Sequence, residues 1–134
     1  MPATAKTKHT PQEEIFDELQ SLLKPYSPQL KACTGLVKNK RDYNLLTRKE
    51  VIVAGRKYDN LYFASLIEQK GYVGFYFMPI YCAPETRKSI APGLLKLLKG
   101  KSCFHIKKLD GELRAQIAAA LKQGFAGYKK NGWV

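Results

Sequence analysis

The sequence predicts an α+β two-layer sandwich: an antiparallel sheet of about five to six strands, flanked by an N-terminal and a C-terminal helix. Three observations predict it. Helical apolar periodicity is strongest at the two ends, near 11–23 and 110–128. Between them lie short stretches rich in aromatic and β-branched residues, punctuated by turn residues. The connections between the central stretches are too short for crossover helices, so neighbouring strands should run antiparallel, most economically as a meander. The chain has 134 residues, the size of one domain, and can bury a core without disulfides or metal. Its 45% hydrophobic content argues against a wholly disordered chain.

Residues 1–9 read as a disordered tail before a single domain at 10–134. Thr10, Pro11 and Glu13 form a capping box with proline at the first helical position. Ile15, Phe16, Leu19, Leu22 and Leu23 then make one apolar stripe, ended by Pro25 and Pro28. Strands are expected at 30–37, 42–46, 50–54, 58–67 and 72–78, with turns at 55–57 and 68–71. A helical turn follows at 85–90. Pro92 opens a short helix running to about Lys99, with Gly100 as its C-terminal stop. Residues 102–107 read as a further strand. Asp110 caps the last helix, whose buried face is Leu113, Ile117, Leu121, Phe125 and Tyr128. Trp133 is placed to fold back onto the body.

The N-terminus has no apolar run of the secretory kind, and the longest uncharged stretch, 71–84, is too short to span a membrane. Cys33, Cys82 and Cys103 are odd in number and lack metal or disulfide spacing. They read as reduced thiols in a cytoplasmic protein. No cofactor is implied.

The formal net charge of +12 is unevenly placed. The first helix holds Glu13, Glu14, Asp17 and Glu18 and no base. Lysine-rich blocks occupy 36–57 and 87–109, the second comprising Arg87, Lys88, Lys96, Lys99, Lys101, Lys107 and Lys108. Lysines far outnumber arginines, and no nucleic-acid-binding motif is present. Base-specific readout, which favours the planar guanidinium, is therefore unsupported. Weak phosphate-backbone binding stays open, as does an anionic small molecule or an acidic protein partner.

Gly100-Lys101-Ser102 resembles the end of a phosphate loop, but position 95 is Leu95 and the helix precedes it, so that reading is excluded. Strand alternation places Lys101, Cys103, His105 and Lys107 on one face, and Ser102, Phe104 and Ile106 on the other. In 72–78 it separates Tyr72, Gly74, Tyr76 and Met78 from the core-like Val73, Phe75 and Phe77. The candidate ligand face is therefore Tyr72, Tyr76, Lys101, Cys103, His105 and Lys107. Such a face would suit a ring-bearing or anionic ligand, or a homodimer contact. Cys103 beside Lys and His would suit a nucleophile if its pKa were lowered.

The segments GYVGFYFMPIY at 71–81, LLKGKSCFHIKKLD at 97–110 and GYKKNGW at 127–133 resemble the YdhG-like family, a bacterial domain of unknown function. The resemblance covers roughly the C-terminal 70 residues. It implies a cytoplasmic α+β fold akin to secretion-chaperone sandwiches. Some members of that family are described as frataxin-like iron chaperones, and Glu13, Glu14, Asp17 and Glu18 are the carboxylates that would suit a hard cation here. The expected function is a non-enzymatic binding or chaperone-type domain. Iron handling and weak nucleic-acid association are the alternatives.

Overall fold

The computed structural model describes residues 11–82 and 84–134. The expected Thr10 cap and the tail at 1–9 lie outside them. Helix α1 (Pro11–Leu23) begins on proline and carries Glu13 and Glu14 in its first turn. Acids there complement the positive end of the helix dipole. Ile15, Phe16, Leu19 and Leu23 are its buried stripe, and a 3-10 turn at Lys24–Tyr26 ends it at Pro25.

The chain then forms β1 (Lys31–Cys33), β2 (Asp42–Leu46), β3 (Val51–Val53), β4 (Arg56–Tyr58), β5 (Tyr62–Gln69) and β6 (Tyr72–Phe77). Short helices α2 (Pro79–Cys82), α3 (Pro84–Ser89) and α4 (Pro92–Leu95) come next, then β7 (Leu98–Lys99), β8 (Cys103–Ile106) and α5 (Gly111–Lys130). The architecture is α+β. Six strands form one sheet in the order β1-β2-β5-β6-β8-β7, every pair antiparallel.

The plain meander is corrected in one place. β3 and β4 pair only with each other, and β2 pairs directly with β5. The expected strand at 58–67 is thus two strands in different sheets. The turn expected at 55–57 lies instead at Ala54-Gly55, with φ of +52° and +79°. A two-residue hairpin turn of this hand needs positive φ, which glycine supplies at little cost. The loop at 68–71 shortens to Lys70-Gly71, because Gln69 and Tyr72 pair across it. Gly100 does not stop a helix. Helix α4 ends at Leu95, residues 98–99 extend to pair with β8, and Gly100 (φ +84°) sits in the resulting hairpin.

Asp110 does cap α5, its carboxylate accepting from the Leu113 N–H at 2.8 Å. One sheet face meets the helices. Tyr43, Leu66, Phe75 and Phe104 are cross-strand neighbours there and are buried, with Val73, Phe77 and Ile106 beside them. Against them pack Phe16, Leu19 and Leu23 of α1 and Ile117, Leu121 and Tyr128 of α5. Gly124 lets α5 approach closely, for a Cβ there would lie 2.6 Å from Phe77 Cζ and 2.8 Å from Pro79 Cγ. Trp133 does fold back, edge-on to Tyr128 with ring centres 4.9 Å apart.

A bulge interrupts the pairing of β2 with β5. Leu45 pairs with Ala64 but Leu46 pairs with Tyr62, leaving Phe63 as the extra residue. Extra residues re-aim the side chains around them. Phe63 and Ala64 both join the core, while Tyr62 and Ser65 both reach the opposite face.

Candidate functional site

The sheet face turned away from the helices is where sequence parity places the ligand residues. A rung of cross-strand neighbours runs over it: Cys33, Asn44, Ser65, Tyr76, Cys103 and Lys99. A second rung holds Asp42, Ile67, Gly74 and His105. Tyr72, Tyr76, Cys103 and His105 are all half-buried. Tyr72 stacks on His105 with ring centres 4.1 Å apart and planes 19° from parallel. The Tyr76 ring lies back over Gly74, where a Cβ would be 2.9 Å from Tyr76 Cε1.

Two residues do not follow the alternation. Strand β8 starts only at Cys103, so Lys101 lies in the preceding turn, its Nζ 5.8 Å from the ring centre of Tyr81. Ser102, expected on the core side, instead lines the open face beside Tyr76. Turn residues escape the two-residue period because their backbone is not extended.

Two concave regions lie on or beside this face. The larger is a cleft of about 570 Å³ at the edge of the sheet, where β7 covers only the first half of β8. His105 lines it from β8, Lys99 from β7, and Lys107 and Lys108 from the segment after β8, while Gly93 comes from α4, Lys96 from its C-terminal cap and Gln116 from α5. Four lysines face it against two acids, Asp110 and Glu112. The Asp110 carboxylate is already engaged as the α5 cap. Among the described residues the ion pairs are Arg41–Asp17, Lys57–Glu50 and Arg114–Glu18, so none of the cleft lysines belongs to one. A Cβ at Gly93 would lie 2.8 Å from Gln116 Oε1, so a larger residue there would turn the Gln116 amide aside.

The smaller is a trough of about 210 Å³ in the middle of the sheet, lined by Val37, Asn44, Tyr62, Ser65, Ile67, Tyr76, Met78 and Ser102. Asn44 and Ser65 form buried parts of it, 2% and 5% exposed. The loop before β2 supplies Val37 and is held by Asp42. This carboxylate accepts from the backbone N–H groups of Gly35, Leu36 and Val37 at 2.6, 2.8 and 3.1 Å, and from Asn44 Nδ2 at 3.1 Å. Burial opposes its charge, but these four donors prevail and hold its pKa below the ordinary carboxyl value.

Cys103 sits in surroundings that disfavour its thiolate. Burial pushes its pKa up, only partly countered by hydrogen bonding to Tyr76. Burial, followed by its contact with Cys103, pushes Tyr76 up to about 12. Tyr76 therefore stays a protonated donor at neutral pH. The acidic face of α1 is not gathered into a metal cage. Asp17 pairs with Arg41, Glu18 with Arg114 at 3.2 Å, and Glu14 and Glu18 border a depression shared with Lys107 and Lys108. Among the described residues no three His, Cys, Asp or Glu side chains converge as a metal site.

Lys96, Lys99, Lys108, Asn44, Ser65 and Gln116 are site-lining residues that strand parity does not find. The three lysines are visible in the sequence only as members of the basic block at 87–109. Asn44 and Ser65 carry one signal, a small polar residue flanked by apolar neighbours within a strand. Gln116 carries none. Comparison with family models, with curated proteins and with solved structures finds no match for the chain.

Proposed function

We propose that this chain is a cytoplasmic, YdhG-like binding domain rather than an enzyme, and that its ligand is a small phosphate-bearing or otherwise anionic molecule held in the lysine-lined cleft. The observation that carries the reading is the convergence of Lys96, Lys99, Lys107, Lys108 and His105 on one cleft of about 570 Å³. That volume lies within the roughly 300–1,000 Å³ of small-molecule sites. Like charges facing one concave space raise its potential, and low-dielectric walls focus the field on an incoming anion. Ammonium groups on flexible stems adapt to phosphate or carboxylate as point charges, without the fixed geometry of a guanidinium fork. His105, braced by Tyr72, adds a rigid planar wall.

The raised pKa of Cys103 supports binding over thiol chemistry, because a nucleophilic cysteine needs the opposite shift. No helix among the described residues is long and apolar enough to cross a membrane. Calorimetric titration with inorganic pyrophosphate tests the proposal. Saturable binding is expected, with affinity falling as salt screens the site. The double variant Lys96→Gln, Lys107→Gln should bind at least tenfold more weakly at an unchanged melting temperature. No saturable heat, or equal affinity in the folded double variant, overturns the proposal.

A further inference from the structure

We infer that the central trough is a second binding site, separate from the basic cleft, for a small neutral molecule with an apolar body and a hydrogen-bonding group. Its lining is the first argument. One quarter of the residues of this chain are charged, yet none of the eight lining the trough carries a charge at neutral pH. A charged ligand would lose its hydration without gaining a counter-charge, which is costly in a partly enclosed space. A neutral one escapes that cost.

The polar groups are the second argument. Val37, Ile67, Met78 and the ring of Tyr62 offer apolar contact. Asn44, Ser65, Ser102 and Tyr76 are the polar side chains set among them. Tyr76 lines the trough with its ring, while its hydroxyl lies over Gly74 and is engaged by Cys103 and Gln69. An apolar lining with a few fixed polar groups is the usual make-up of a small-molecule site.

The way the trough is built is the third. The β5 bulge brings Tyr62 and Ser65, three residues apart, to one face. Asp42 ties the loop at 35–37 so that Val37 forms a wall. The depression is therefore held by backbone geometry on two sides. Its 210 Å³ equals about seven waters at roughly 30 Å³ each. That bulk suits a single-ring fragment rather than a drug-sized ligand.

The test compares three probes of one shape and different charge: benzamide, benzoate and benzamidinium. Methyl-region NMR follows Val37, Ile67 and Met78 while each is added to the full chain. Saturable shifts of these methyls are expected with benzamide. Benzoate and benzamidinium should be at least tenfold weaker there. Ser65→Ala, which removes only the hydroxyl, should weaken benzamide several-fold and leave toluene unchanged. Absence of saturable shifts with benzamide, or equal binding of all three probes at these methyls, overturns the inference. So would concentration-dependent shifts of the same methyls without probe, accompanied by faster sedimentation, since these would place a second copy on the trough. Because the cleft lysines are not involved, Lys96→Gln, Lys107→Gln should leave the benzamide shifts intact. The two proposals therefore fail independently.

Discussion

Replacing Asp42 by Asn removes one charge and almost no volume, from a side chain that is 4% exposed. In the native chain Oδ1 takes the Gly35 N–H, while Oδ2 takes Leu36 N–H, Val37 N–H and the Asn44 amide. An asparagine that keeps its oxygen toward the three donors must turn its NH₂ toward Gly35 N–H, donor against donor. One hydrogen bond is lost and the other three lose their charge assistance. Hydrogen bonds to charged groups contribute about 1.5–3 kcal/mol each, but the loop N–H groups at exposed residues can return to water. The net cost is then about 2 kcal/mol. At roughly 2.1 cal/mol/K of unfolding entropy per residue, that lowers the melting temperature by about 7 °C.

The pH dependence gives the sharper test. The folded carboxyl has a pKa below its unfolded value of about 3.9. The unfolded chain therefore takes up the proton first as pH falls. The contribution of Asp42 to stability is fully present above the unfolded value and is lost as pH drops through the folded one. Thermal unfolding followed by circular dichroism should show Asp42→Asn melting well below the native chain at pH 7, with the gap closing below about pH 4. The other carboxylates titrate in both proteins and cancel in the difference. A variant melting within a degree of the native chain at pH 7, or a gap unchanged down to pH 3, would refute the anchoring role of Asp42.

Packing and the thiol environment give two further outcomes. Gly124→Ala should lower stability by about 1–3 kcal/mol in urea denaturation, because strain against Phe77 and Pro79 exceeds the helix-propensity gain of about 1 kcal/mol; a stabilised variant would show that α5 can move away. Cys103 should alkylate more slowly with iodoacetamide at pH 7 than a free thiol, with its rate still rising above pH 9, as read by peptide mass spectrometry; a fast, pH-independent reaction would restore the thiol-enzyme reading.

The fold was legible where local physics decides it. The stripes of α1 and α5, the Asp110 cap and the alternation of β6 and β8 come from periods of 3.6 and 2, and short connections force neighbouring strands to run antiparallel. The sequence was less informative wherever a segment's state depends on a distant partner. Residues 98–99 leave a helical pattern because the edge of β8 offers hydrogen bonds, and Gly100 changes from helix stop to hairpin turn as a result. The side chains of Tyr72, Tyr76, Cys103 and His105 could be assigned to one face from alternation alone. Whether they form one site could not.

By itself the sequence determined the fold class, the core faces of the end helices and of β6 and β8, and the presence of an acidic helix beside basic blocks. Tertiary structure alone decided that Lys96, Lys99, Lys107 and Lys108 share a cleft, and that a bulge at Phe63 and a loop tied to Asp42 enclose an uncharged trough. The reason is range. Propensity and periodicity act over a few residues, whereas the concave shape of a site is set by groups far apart in the chain, brought together only when the core closes.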